Sequence, residues 1–175
     1  MTTRKIFFSF HFARDSWRVG QVRNSGLVHD APPFLDRAAW EDVKRGGDPA
    51  IKRWIDRNLH GTSVTCVLIG SETSGRRWVR YEIEQSLLKG NGLLGVYIHS
   101  LKDRNGRADS PGLNPFVVAT VDTEYGRLPV ATASTLQGRT IDYYDWKSNQ
   151  GAASDLYGVQ NFTRWVETAA RKANR

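Results

Sequence analysis

The sequence predicts an α/β fold in which a mostly parallel β-sheet is flanked by helices. Two segments, 63–69 and 93–98, are almost continuously apolar, which is typical of parallel strands that are buried on both faces. A third apolar segment, 4–10, is short enough for a strand and precedes the first helix. Segments with helical spacing separate these strands, so strands and helices alternate as in a βαβ series.

The helices of the first half follow from apolar spacing and from turn residues. A helix is expected over 11–24, and glycine, aspartate and two prolines predict a loop over 25–36. The pattern is helical again over 37–60, with an interruption at two adjacent glycines. Asp48 is expected to cap the second part of this segment, because Pro49 then occupies the first helical position.

The second half contains one well-defined helix and several less regular segments. A polar loop over 70–76 leads into a helix over 77–89, for which Thr73 or Ser74 is the expected cap. The elements expected after the strand at 93–98 are a long loop over 100–116, a short strand or irregular return over 117–121, a strand over 140–144 and a closing helix over 155–172. No repeat or linker divides the sequence, so we predict a single domain over residues 1–175.

Composition limits the classes of protein to which the chain can belong. Of its 175 residues, 39% are hydrophobic and 11% are aromatic, which excludes disorder for most of the chain. The net charge of +7 is spread along the sequence without a basic block, so no nucleic-acid partner is expected. A small anionic ligand suits this charge better, because a few arginines at one site suffice to bind it.

Three further expectations concern location and metals. No stretch is long and apolar enough for a transmembrane helix, and the charged N-terminus does not resemble a secretory signal, so no membrane partner is expected. The single cysteine, Cys66, cannot form an internal disulfide, so we expect a reducing, cytoplasmic location. The four histidines lack the spacing of metal ligands, and no metal site is expected.

Candidate ligand-binding loops follow from the predicted sheet, because parallel α/β sheets bind ligands at the carboxyl ends of their strands. This rule selects the loops at 9–15, 29–40 and 70–78. In the third loop, Arg76 and Arg77 lie at the predicted start of a helix, where the helix dipole disfavours cations. An anion bound between them would remove this conflict; alternatively, both arginines point into solvent.

Glu82 is the candidate catalytic residue. It lies four residues after Trp78, so the two side chains share one face of the predicted helix. Trp78 belongs to the apolar stripe, which places Glu82 near the sheet at the mouth of the expected cleft. Burial beside an indole raises the pKa of a carboxyl group, and a nearby arginine opposes this. The alternative is a surface carboxylate that pairs with Arg80 or Lys89.

Two longer segments resemble a known family. The segments FFSFHFARDSWRVGQVRNS and LIGSETSGRRWVRYEIEQSL are similar to the TIR-like proteins of the Thoeris anti-phage system, and WVRYE resembles the W-x-x-x-E of catalytic Toll/interleukin-1 receptor (TIR) helices. The resemblance covers residues 4 to about 100. It implies a flavodoxin-like, TIR-type fold and cleavage of NAD at the nicotinamide–ribose bond. It also implies that ADP-ribose is cyclised into an isomer of cyclic ADP-ribose, and that Glu82 matches the catalytic glutamate.

The same resemblance directs attention to residues that would contact NAD, which is expected as substrate, with no separate cofactor. An arginine would neutralise the pyrophosphate, and the first loop would bind a base or a ribose hydroxyl. The candidate substrate-binding residues are Phe10, His11, Asp36, Ser71, Arg76, Arg77 and Trp78. Self-association is expected, and the product is expected to act on a separate effector, NAD-depleting or other. The loops at 29–40 and 100–116 are candidates to close over the site.

Two other functions are compatible with the sequence. One is a non-catalytic TIR-like scaffold or sensor that acts by self-association, although such a protein has no physical need for Glu82. The other is an enzyme similar to the nucleoside 2-deoxyribosyltransferases, which would use the same glutamate on nucleosides without phosphates. The pair Arg76 and Arg77 favours a phosphorylated substrate over the latter.

Overall fold

Four parallel strands form the sheet that organises this chain. The computed structural model describes residues 4–25, 37–118, 120–123, 126–129, 141–147 and 157–175. The strands are β1 (Ile6–Ser9), β2 (Val64–Ile69), β3 (Gly92–Tyr97), β4 (Thr120–Thr123), β5 (Gly126–Pro129) and β6 (Asp142–Asp145). The helices are α1 (Phe12–Arg23), α2 (Arg37–Arg45), α3 (Gly47–Leu59), α4 (Arg77–Leu88), α5 (Pro115–Val118) and α6 (Tyr157–Lys172).

The sheet confirms the predicted α/β class and its flavodoxin-like, TIR-type architecture. Its strands lie in the order β1, β2, β3 and β6, and all three pairings are parallel. In the first pairing, Ile6 lies opposite Val64 and Ser9 lies opposite Val67. Helical crossovers join β1 to β2 and β2 to β3, as parallel pairing requires. β4 and β5 form a separate antiparallel pair.

Alternation of side chains along the strands divides the core into two layers. Phe8 packs on the face covered by α1 and α6, where its ring stacks on Phe162 with centroids 6.1 Å apart. Phe7 points to the opposite face and packs against Ile55 of α3. Each fully buried side chain of this kind contributes about 1.5–3 kcal/mol to folding. Ser9 is two residues after Phe7, so its side chain points to the face that carries α3 and α4.

The start of β3 requires a glycine because α6 crosses it closely. A Cβ atom on Gly92 would lie 2.5 Å from the carbonyl oxygen of Ala169 and 2.9 Å from the amide nitrogen of Ala170. Both contacts are with backbone, which cannot rotate away as a side chain can. The helix therefore packs directly on the strand at this point.

The predicted cap of α3 is wrong. The helix begins at Gly47, preceded by Gly46, and Asp48 lies inside the first turn. Gly47 has a φ of +68°, a left-handed conformation that glycine reaches at little cost, so the turn forms one residue before the expected cap. The carboxylate of Asp48 pairs with Arg77 of α4 instead.

The predicted cap of α4 is also wrong. Thr73 and Ser74 belong to a 3₁₀ turn, Thr73–Gly75, and Arg76 is the residue that precedes the helix. The hydroxyl of Thr73 accepts a hydrogen bond from the amide of Gly70 at 2.9 Å, so it stabilises the loop rather than the helix.

The remaining segments differ from expectation mainly at their boundaries. The segment expected as a strand or irregular return over 117–121 contains the end of α5 and the start of β4. The strand expected over 140–144 is β6, and the closing helix is described from Tyr157 onward. The loop expected over 25–36 lies outside the described residues beyond Ser25. Within the described ranges, no helix combines the length and the hydropathy of a membrane-spanning segment.

Candidate active site

A buried carboxyl group lies where β1 ends beside α4. Ser9 is the last residue of β1, and Glu82 lies on α4 one turn after Trp78. The hydroxyl of Ser9 donates a hydrogen bond to Oε2 of Glu82 at 2.5 Å, and the glutamate is only 8% exposed. The alternative of a surface carboxylate paired with Arg80 or Lys89 is therefore wrong, because Glu82 faces the sheet.

Burial controls the protonation of Glu82. Loss of contact with water raises the pKa of this carboxyl group to about 8, and the hydrogen bond from Ser9 opposes the rise because it favours the carboxylate. The group is therefore mostly protonated at neutral pH when no ligand is bound. A positive charge placed within about 4–6 Å would lower the pKa again and ionise it.

An aromatic cavity of about 300 Å³ opens beside this carboxyl group. The rings that line it belong to Phe7, Phe8, Phe10, Phe12, Trp40, Trp54 and Trp78. Neighbouring rings are in contact, since the centroids of Phe12 and Trp40, and of Trp40 and Trp54, are each 5.6 Å apart. This volume is at the lower end of the range of about 300–1,000 Å³ for ligand sites, which suits a base with its ribose better than a whole dinucleotide.

His11 adds a polar atom to the same cavity. It precedes the first residue of α1, and its side chain is among those that line the cavity. Its Nδ1 atom is buried, has no hydrogen-bond partner among the described residues, and lies 3.8 Å from Oε2 of Glu72. Burial and the positive charge of Arg76 lower the pKa of His11, so its imidazole is neutral and its unpartnered Nδ1 is available to a ligand.

The two arginines predicted to bind an anion lie in different places. Arg76 lines the cavity and pairs with Glu72. Arg77 is not among the lining residues; it pairs with Asp48, and its guanidinium lies 4.4 Å from the ring centroid of Trp78. Both side chains are exposed, yet each has a carboxylate partner within the chain. Of these two arginines, Arg76 is therefore the one placed to contact a ligand in the cavity, which Arg23 and Lys44 also line.

The other two candidates lie outside the cavity or outside the described residues. The hydroxyl of Ser71 donates a hydrogen bond to Asp109 at 2.9 Å, and Ser71 does not line the cavity. Asp36 falls in a segment that the structure does not describe. The predicted residues that the structure brings together are Phe10, His11, Arg76, Trp78 and Glu82.

The loop over 100–116 packs on α1 and contributes no lining residue. The guanidinium of Arg18, buried against Asp15, donates hydrogen bonds to the carbonyl oxygens of Leu101 at 2.8 Å and Arg107 at 3.1 Å. These bonds fix the loop near the carboxyl end of the sheet. Within the described ranges, no group of three or more His, Cys, Asp or Glu residues is placed to hold a metal ion.

Trp54 and Trp40 line the cavity but carry no clear functional signal in the sequence. Trp54 belongs to the apolar stripe of α3 and has the pattern of a core residue, and Trp40 lies in the neighbouring helix. Ser9 does carry a signal, because a polar residue at the end of an otherwise apolar strand is visible in the sequence. Its partner is not visible, since 73 positions separate Ser9 from Glu82.

Comparison with known proteins gives two matches. Residues 7–103 match the family described as "Thoeris protein ThsB, TIR-like domain". A protein of Bacillus cereus (strain MSX-D12), named "Putative cyclic ADP-D-ribose synthase ThsB1", is 48% identical over 117 residues. That match covers 65% of this chain and 61% of the relative, so the chain corresponds to about three fifths of the relative's length. Ser9 and Glu82 both lie in the segment matched by the family.

Proposed function

The chain belongs to the ThsB TIR-like family of Thoeris proteins, and on that premise we propose that it cleaves NAD and cyclises the ADP-ribose that remains. The observation that carries this proposal is the buried carboxyl group of Glu82 at the wall of an aromatic cavity. An adaptor gains nothing from burying an acid there, because burial of an ionisable group costs stability. The name of the Bacillus cereus relative, "Putative cyclic ADP-D-ribose synthase ThsB1", supports the same reaction.

Substrate binding would change the charge of Glu82. The nicotinamide ring of NAD is a cation, and aromatic rings such as those of Trp78 and Phe10 attract cations in a desolvated site. Once this ring lies beside Glu82, its charge lowers the pKa of the carboxyl group, which releases its proton to solvent. The hydrogen bond from Ser9 then holds one oxygen of the carboxylate in place.

Bond cleavage would follow from this charge arrangement. The bond between C1 of the ribose and the nicotinamide nitrogen breaks, and its electron pair stays on that nitrogen. Nicotinamide therefore leaves as a neutral molecule and needs no general acid. The positive charge moves to the ribose, where an oxocarbenium-like transition state forms, and the carboxylate of Glu82 stabilises it.

Cyclisation requires that a nucleophile of ADP-ribose itself reaches the same carbon before water does. The attacking atom forms the new bond to C1 and loses its proton to the carboxylate of Glu82, which restores the neutral acid. The apolar wall formed by Phe12, Trp40 and Trp54 favours this outcome because it leaves few positions for water near the cation.

The wider role belongs to the same proposal. NAD is the substrate and no further cofactor is required. The product would leave the protein and act on a separate effector, NAD-depleting or other, in anti-phage defence. Self-association would bring additional surfaces to the cavity, and the cytoplasm, where NAD is abundant and a lone cysteine stays reduced, is the proposed location.

The test is conversion of NAD by the purified chain, across a range of protein concentrations so that self-association is included. Liquid chromatography with mass detection would quantify nicotinamide, ADP-ribose and any cyclic isomer. Glu82→Gln should abolish release of nicotinamide, because it preserves the shape of the side chain and removes its charge. Glu84→Gln, two positions along the same helix and outside the cavity lining, is the matched control and should retain activity.

The two alternative functions give different results in the same assay. A nucleoside deoxyribosyltransferase-like enzyme would consume nucleosides and leave NAD intact. A scaffold would consume neither and would bind NAD no differently after Glu82→Gln. Undiminished release of nicotinamide by Glu82→Gln would remove this residue from the reaction.

A further inference from the structure

The carboxylate of Glu72 lies among Arg14, Arg76 and His11 at the exposed edge of the cavity. Oε1 of Glu72 lies 3.0 Å from Nη1 of Arg14, and Oε2 pairs with Arg76. The same Oε2 atom lies 3.8 Å from Nδ1 of His11, which has no hydrogen-bond partner among the described residues. His11 and Arg76 line the cavity, so this cluster is continuous with the proposed substrate site.

Arg14 is held by a second carboxylate besides Glu72. Its Nε and Nη2 atoms both donate to Oδ2 of Asp109, at 3.0 Å and 2.8 Å, and Nη1 is the atom that reaches Glu72. Asp109 is fixed in turn by the hydroxyl of Ser71 at 2.9 Å and by the amide of Ser110 at 2.9 Å. Partial burial alone would raise the pKa of Asp109, but these hydrogen bonds lower it to about 2, so its charge persists.

We propose that Arg14, Arg76 and His11 form the binding site for the pyrophosphate of the dinucleotide, and that Glu72 occupies this site in the unliganded protein. The identity of the ligand rests on the proposed function. Nη1 of Arg14, the guanidinium of Arg76 and the imidazole of His11 would donate to phosphate oxygens in place of the glutamate. The side chain of Glu72 is half-exposed, so it can turn into solvent when the pyrophosphate enters.

Competition between Glu72 and the ligand makes this residue a determinant of specificity. A pyrophosphate carries more negative charge than one carboxylate and can displace it from two guanidinium groups. A neutral nucleoside offers no anion, so Glu72 would stay in place beside the ring-binding cavity. The cluster therefore favours phosphorylated ligands, and removal of the glutamate should strengthen the binding of every ligand that carries the pyrophosphate.

The experiment measures binding without turnover. Titration calorimetry with inorganic pyrophosphate and with ADP-ribose, at constant ionic strength, would compare the wild type with Glu72→Gln. Glu72→Gln should bind both ligands about three- to tenfold more tightly, because the displaced ion pairs are exposed and individually weak. The double variant Glu72→Gln/Arg76→Gln should lose this gain. The matched controls are Glu84→Gln, which removes a negative charge as Glu72→Gln does, and Arg164→Gln, which removes a positive charge as Arg76→Gln does. Both residues lie outside the cavity lining, and both variants should bind as the wild type does.

The outcomes separate this inference from the proposed reaction. Unchanged or weaker pyrophosphate binding by Glu72→Gln would overturn the inference, even if Glu82 is essential for NAD cleavage. Tighter binding in a protein that never releases nicotinamide would support the anion site and contradict the proposed reaction. An equal gain in Glu84→Gln would also overturn the inference, because it would assign the effect to net charge. Thermal unfolding of each variant would verify that the fold is retained.

Discussion

Replacement of Glu82 by glutamine should stabilise the protein at alkaline pH. Burial raises the pKa of this carboxyl group from 4.5 to about 8 in the folded state. Between these values the folded chain keeps a proton that the unfolded chain has lost, so stability falls as the pH rises through this window. This loss of unfolding free energy is absent below pH 4.5 and complete above pH 8. At 1.36 kcal/mol per pKa unit, the loss of unfolding free energy reaches roughly 5 kcal/mol above pH 8. Water that entered the site would reduce the pKa shift, so this value is an upper limit.

Glutamine escapes this penalty because it has no charge to bury. Its amide oxygen can still accept the hydrogen bond from Ser9, so the local geometry is preserved. Urea unfolding of the wild type, Glu82→Gln and the control Glu84→Gln at pH 5 and pH 9 would measure the effect. The stability difference between Glu82→Gln and the wild type should be small at pH 5 and several kcal/mol in favour of the variant at pH 9. Equal differences at both pH values would refute the assignment of a strongly raised pKa, because other titrating groups cancel in the comparison.

Two further predictions concern neighbours of this carboxyl group and of the sheet. Ser9→Ala removes a hydrogen bond that favours the carboxylate, so the rise of the NAD-cleavage rate with pH should move upward by about one pH unit. Ser9→Thr, which keeps a hydroxyl group, should restore part of the shift, whereas an unchanged profile would contradict a role for this bond. Gly92→Ala places a Cβ atom 2.5 Å from the backbone of α6 and should cost roughly 1–3 kcal/mol of unfolding free energy, measured with urea. If Gly92→Ala loses no more unfolding free energy than a substitution at an exposed position, α6 can move away from the strand and the close contact is not needed.

The fold was predictable because its central strands carry a strong local pattern. β2 and β3 are apolar at nearly every position, and such runs arise where a strand is covered on both faces. The spacing of Glu82 from Trp78 indicated that both lie on one side of α4, but the pattern alone left open a surface carboxylate paired with Arg80 or Lys89. Both features depend on the spacing of residues within one strand or one helix, and the sequence shows that spacing directly.

The contacts of the site were not predictable in the same way, because they depend on how separate elements meet. The bond between Ser9 and Glu82 requires the register of β1 against β2 and the position of α4 above the sheet. Arg77 is the reverse case, in which the sequence suggested a site that the structure does not support. Its place at a helix start suggested an anion site, but α3 packs beside α4 and supplies Asp48 as its partner. A periodic pattern describes one helix and contains no information about the charge on its neighbour.

The electrostatics of the cavity favour a ligand with two opposite charges. The buried Glu82 lowers stability at neutral pH, because the unfolded chain has already lost the proton that the folded chain keeps, and a cation placed beside the side chain converts it into a carboxylate. A neutral nucleoside would leave Glu82 protonated and therefore unable to stabilise a sugar cation. At the edge of the same cavity, Arg14 and Arg76 already hold a carboxylate, so their preferred ligand is an anion. NAD carries a cationic ring and an anionic pyrophosphate separated by one ribose, so in the reaction that we propose its scissile bond would lie beside the carboxyl group that the ring would ionise.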